Sequence, residues 1–140
     1  MVALLNNKPS QIVTEIENAF SHIAQVFNPE LSEEVKDENV KKAYNHLVRA
    51  TLDCYKLMCV ELKKLIDKIY NSKPDFKPYY EEYLNFINEF RKAREVELEN
   101  VGVDHLASLE NYKKVVEIGK NLFEKVTQLI KNKIEGICGI

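Results

Sequence analysis

Three features of the sequence predict an all-α fold, an elongated four-helix bundle with a short first helix and up-down topology. The first 101 residues contain no glycine and the 140-residue chain has only four, too few for the tight turns of a β-sandwich or barrel. Apolar residues recur at alternating spacings of three and four over long stretches, the period of one helix face. The four prolines, at 9, 29, 74 and 78, sit between those stretches, where a residue without an N–H starts or stops a helix. With 45% hydrophobic residues, a chain of this size buries roughly 70% of its unfolded surface, so residues 1–140 are expected to form one domain.

The first helix is expected from Ser10, an N-cap after Pro9, to Phe27, with Ile12, Ile16, Ala19, Ile23 and Val26 along one side. The run Val2-Ala3-Leu4-Leu5 ahead of it reads as a packing arm or frayed end, too short and too poor in basic residues for a signal peptide. Asn28-Pro29 ends the helix, and an acidic connector with one turn capped by Ser32 leads to Asp37, the expected N-cap of a second helix reaching Asn71. That helix carries two apolar stripes. One is Val40, Tyr44, Leu47, Thr51, Cys54 and Met58; the other is Val48, Leu52, Tyr55, Cys59, Leu62, Ile66 and Ile69. The strip left over, Lys42, His46, Arg49, Asp53, Lys56, Lys63 and Asp67, points away from both stripes.

Residues 72–77 break the pattern, and a third helix is expected to begin within Asp75–Pro78, where proline suits a first turn. It presents Phe76, Tyr80, Tyr83, Ile87 and Phe90 before fading into charge, and Arg94 falls on the same line, where burial would require an acidic partner such as Glu15, Glu17 or Asp53. After Gly102, Asp104 can cap a fourth helix from His105 to Glu135, whose line of Leu109, Tyr112, Val116, Gly119, Phe123, Val126 and Ile130 includes a glycine that permits close helix approach. At 1.5 Å per residue the second and fourth helices are each about 45–50 Å long. The first is about half that, so one copy leaves apolar surface uncovered and homodimerisation is the expected remedy.

Composition narrows the function. A net charge of −2 supplies no general field for nucleic acid or anionic lipid, and the odd cysteine count, Cys54, Cys59 and Cys138, gives no disulfide framework. A reducing, cytoplasmic setting is expected, with Cys54 and Cys59 as buried structural thiols. The tail Ile134–Ile140 is apolar but too short to span a membrane within this chain. No metal and no cofactor are expected: Ala19, Ala43 and Gly102 stand three residues before His22, His46 and His105, so the Glu-x-x-His pairs of di-iron bundles do not occur, nor does a glycine-rich phosphate loop.

One polar constellation remains. In Ala43-Tyr44-Asn45-His46-Leu47-Val48-Arg49-Ala50-Thr51-Leu52-Asp53, helical spacing puts His46, Arg49 and Asp53 on one face. An imidazole can move a proton, a guanidinium can bind phosphate and a carboxylate can orient either, a combination suited to metal-independent RNA cleavage; an ordinary solvated face has the same composition. Phe76, Tyr79, Tyr80, Tyr83 and Phe86 form either a stacking platform for bases or plain core.

The stretch from Val40 to Lys56, with its His-x-x-Arg-Ala-x-x-Asp in a long helix, resembles the helical bundles of the HEPN superfamily of prokaryotic defence and toxin proteins. That resemblance implies dimerisation, and in active members an Arg followed four to six residues later by His that together cleave RNA without metal. Arg49, Arg91 and Arg94 have no His at that spacing, so the resemblance extends to the architecture and to inactive, partner-binding members. The expected function is therefore a non-catalytic intracellular interaction or regulatory module, homodimeric and open to a further protein partner. The alternative is a HEPN-like RNA-binding or RNA-cleaving protein using His46 for proton transfer, Arg49 for phosphate and Asp53 for orientation.

Overall fold

The computed structural model describes residues 9–72, 74–99 and 105–138. Within them the chain forms α1 (Pro9–Val26), α2 (Glu33–Ser72), a 3-10 turn (Pro74–Tyr79), α3 (Tyr80–Glu99) and α4 (His105–Cys138), with no strand among the described residues. The fold is thus an all-α bundle of four helices. The N-terminal run Val2–Leu5, the Gly102–Asp104 start signal and the last two residues of the apolar tail lie outside the described residues.

Local chemistry sets the helix ends. Asn28 Oδ1 accepts the Glu30 N–H at 3.0 Å across Pro29, an Asx turn that halts α1. The Val35 N–H donates to Ser32 Oγ at 3.3 Å, and the Lys36 N–H to the Ser32 carbonyl at 3.0 Å. Ser32 is therefore the cap of α2 itself, with Glu33 and Glu34 favourably placed in its first turn. Asp37, the expected cap, lies inside the helix. The start of α3 is displaced the other way: residues 74–79 form a tight 3-10 turn with Pro78 inside it, and α-helix begins only at Tyr80.

The core belongs to the second half of α2 with α3 and α4. Leu52, Cys59 and Ile66 from α2, Phe86, Phe90 and Ala93 from α3, and Tyr112, Val115, Leu122 and Val126 from α4 form one buried cluster. The Cys59 thiol donates to the Tyr112 carbonyl at 3.6 Å, and Ile69 shares an apolar cavity with Val126 and Ile130, so α4 runs in the direction of α2. The Tyr83 hydroxyl meets Asp67 and Lys56 meets Glu97, so α3 runs the opposite way. Of the candidate base-stacking aromatics, Phe76, Tyr79, Tyr83 and Phe86 belong to the core while Tyr80 is exposed: Tyr70 stacks on Tyr83 with centroids 4.7 Å apart and meets the Phe76 edge at 5.0 Å, and Phe86 is fully buried. Arg94 is not buried. It is exposed, its guanidinium 5.9 Å from the Phe90 ring centroid, where it needs no carboxylate.

Gly119 does what its position on the α4 line predicts. A Cβ there would lie 2.5 Å from Cε2 of the Phe86 ring, and that ring has no exposed surface along which to shift. Gly119→Ala is expected to cost about 1–2 kcal/mol, an overpacking penalty reduced by the roughly 1 kcal/mol that alanine gains as a helix former. Urea denaturation measures it; a stabilised variant would contradict the close α3–α4 approach.

Helix α1 packs on the first half of α2 as an antiparallel pair. His22 meets Asn39 and Glu15 meets His46, so the register steps backward along one helix as it steps forward along the other. The seam consists of Glu15, Ala19 and His22 against Asn39, Ala43, His46 and Ala50. Its alanines are 1%, 4% and 5% exposed, and their small size lets the two helices approach closely. Helix α1 thus covers a line through the polar strip of α2, while the stripe from Val40 to Met58 stays open: Val40, Tyr44, Leu47 and Met58 are all exposed.

Candidate functional site

The polar residues singled out in α2 do not form a triad. The His46 Nδ1–H donates to Glu15 Oε2 at 2.5 Å, and its ring stacks on His22 with centroids 5.3 Å apart and planes 15° from parallel. The His22 Nδ1–H donates to Asn39 Oδ1 at 2.8 Å, and Asn39 Nδ2 donates to the Val35 carbonyl at 2.9 Å. Each polar side chain in the seam is satisfied by another, and the described residues contain no buried side-chain nitrogen or oxygen without a partner. The carboxylate that orients His46 is Glu15, not Asp53.

Arg49 and Asp53 line a polar cleft of about 160 Å3 where the start of α1 meets the end of α3 and the start of α4, together with Glu15, Lys56, Glu97 and His105. Lys56 holds the cleft together. It pairs with Asp53 at 3.6 Å and with Glu97, which also accepts the Tyr112 hydroxyl at 2.5 Å. His46 contributes to the cleft only through its partner Glu15. Small-molecule sites usually run from about 300 Å3 upward, so this one has room for nothing larger than water or a small ion. Among the described residues no group of three or more His, Cys, Asp or Glu side chains converges as a metal requires.

The thiols divide. Cys59 is fully buried and its thiol is pushed up to about 12 by burial, the behaviour of a structural cysteine. Cys54 is exposed, contrary to its expected burial, because the stripe that carries it has no covering helix. Its thiol is also raised, by partial burial and then by the Asp53 charge, which makes it a poor nucleophile near neutral pH.

The tyrosines Tyr83 and Tyr112 are held neutral. Burial and then the hydrogen bond to Asp67 push Tyr83 up to about 12; burial and then Glu97 act in the same direction on Tyr112. With Cys59 these groups ionise more readily in the unfolded chain, so the stability they confer is complete below about pH 9 and is lost as pH rises through about 12. An alkaline titration followed by tyrosinate absorbance is expected to show two of the seven tyrosines ionising only with loss of helical circular dichroism. Free titration of all seven in the folded protein would contradict these contacts.

The hairpin of α1 and α2 has two different faces. Two antiparallel helices are related by a local two-fold axis normal to their common plane, so positions one residue after the seam turn to the same side on both, about 100° away. On that side stand Val13, Ile16, Phe20, Ile23 and Phe27 of α1's heptad line with Val40, Tyr44, Leu47, Thr51 and Cys54 of α2. The opposite side carries Gln11, Thr14, Asn18, Ser21 and Gln25 with Lys42, Asn45 and Arg49. Phe20 is 64% exposed, Phe27 80% and Tyr44 54%. Of this surface, the sequence shows the α2 stripe and, on α1, Ile16 and Ile23; Val13, Phe20 and Phe27 lie off the line Ile12, Ile16, Ala19, Ile23 and Val26. No helix among the described residues is long and apolar enough to cross a membrane.

The chain matches no known family model, no curated protein and no solved structure.

Proposed function

We propose that this protein is a non-catalytic helical interaction module that docks through the apolar face of the α1–α2 hairpin. The observation that carries the reading is the contrast between the hairpin's two sides. The apolar side exposes a two-helix surface larger than a monomer keeps without use, whereas His46 and the carboxylates of the polar cleft are paired. His46 is engaged by Glu15 and His22, Asp53 by Lys56, and Glu97 by Lys56 and Tyr112. A general base needs a free nitrogen within reach of its substrate and a phosphate ligand beside it. Here Arg49 faces the polar cleft while the His46 ring is inserted in the α1–α2 seam.

A HEPN-like ribonuclease is the competing reading, favoured by Arg49 at the mouth of the cleft. Labelled single-stranded and structured RNA incubated with the protein and a chelator, beside His46→Ala and Arg49→Ala variants, separates the two. The RNA is expected to remain intact and unbound. Cleavage by the wild type that both substitutions abolish would overturn the interaction reading and establish the nuclease.

A further inference from the structure

We infer that the occupant of the hairpin's apolar face is a second copy of this chain, the two hairpins closing face to face into an intermolecular four-helix bundle. This rests on the docking reading above and adds the partner. Four features of the face select a copy of itself. The first is area. At about 150–250 Å2 per aromatic side chain, Phe20, Phe27 and Tyr44 alone offer roughly 300–500 Å2 at their exposures of 64%, 80% and 54%. Val13, Val40, Leu47 and Met58, each about half exposed, bring the face to the order of 700 Å2, near the ~800 Å2 that each partner buries in a standard interface.

The second feature is charge. Neither stripe contains an ionisable carboxylate or amine from Val13 to Phe27 or from Val40 to Met58, so a two-fold copy brings no like charges together at the centre. The third is shape. Each stripe has the alternating three- and four-residue spacing that interlocks with another of its kind, and two helices side by side present the groove that two further helices fill. The fourth is the rim. Glu17 borders the face on α1, and Asp37 and Lys41 border it on α2, a mixed pattern that suits a protein surface of the same composition and lacks the basic cluster that anionic lipid requires.

Phe20 is 64% exposed and Leu47 44% within one copy, so charge placed there can still reach water. Sedimentation equilibrium of the full chain across a wide concentration range, beside Phe20→Glu and Leu47→Glu variants and a Lys92→Glu control on α3, tests the inference. The wild type and the control are expected at twice the 16.3 kDa chain mass. Each face variant is expected to keep its helical circular dichroism and to weaken association roughly thirtyfold or more, the loss of an interface anchor. A wild type that sediments as a monomer throughout would overturn self-association; if its face still bound a hydrophobic dye, and Phe20→Glu abolished that binding, the docking reading would stand with another occupant. A dimer that survives both substitutions would place the contact elsewhere and overturn the inference equally. Monomers that float with phosphatidylcholine vesicles would assign the face to lipid.

Discussion

Phe86→Ala is expected to lower the stability of the fold by about 3–5 kcal/mol, the range for removing a buried phenylalanine ring, and the melting temperature by roughly 10–20 °C. The size follows from position. Phe86 is fully buried, its centroid lies 6.4 Å from that of Phe90, and the α4 backbone at Gly119 lies against it. Truncation leaves a void between α3 and α4 that neither helix can close, because Phe90, Tyr112 and Leu122 hold them apart on either side. Thermal denaturation measures the loss. A cost below about 1 kcal/mol would mean that the ring does not sit where two helices meet.

Glu97→Ala is expected to cost about 2–3 kcal/mol, the effect of leaving half-buried polar partners unsatisfied. One carboxylate serves two groups: Lys56 from α2 pairs with it, and the Tyr112 hydroxyl from α4 donates to it at 2.5 Å. Its removal leaves Lys56 with Asp53 at 3.6 Å and deprives Tyr112 of the acceptor that helps keep its hydroxyl protonated. Two readouts are therefore expected together, a lower urea midpoint and a Tyr112 ionisation that moves toward the ordinary range. Destabilisation with an unmoved tyrosine titration would mean that Glu97 acts through packing alone. Glu97→Gln, which still accepts a hydrogen bond, is expected to recover part of the loss.

The fold was legible because its signals are local. Proline positions, the capping serine and the three-four spacing act within a few residues, and they placed four helices near their observed limits. Ser32 is legible as a cap, but nothing local says whether a capped turn continues through Asp37 into the helix. The 3-10 turn at Pro74–Tyr79 was missed for a similar reason: proline is acceptable in the first turn of either helix type.

The site was harder to read because its contacts are tertiary. Spacing placed His46, Arg49 and Asp53 on one strip, yet it could not show that Glu15, in another helix, would engage the imidazole, or that Lys56 would join Asp53 to Glu97. The line Glu15, Ala19, His22 has heptad spacing and could have been recognised as a packing seam. It was obscured by the larger isoleucines beside it. The uncovered stripe of α2 follows from orientation: α1 lies along Asn39, Ala43, His46 and Ala50 and leaves the neighbouring apolar line through Val40, Tyr44 and Leu47 bare.

Cys54 offers a reporter for that stripe, since it is exposed there while Cys59 is fully buried. The alkylation rate of Cys54, resolved by mass spectrometry of its peptide and followed over a dilution series, tests most directly whether the apolar face is occupied in solution. Covering the stripe both shields the Cys54 thiol and buries it further, which raises its pKa in the same direction as its present partial burial does, so association slows the reaction on both counts. Cys54 is expected to be protected in concentrated protein and to become reactive on dilution, with Phe20→Glu reactive throughout. A rate that is the same at all concentrations, and the same in the variant, would contradict the assembly of two hairpins through this face.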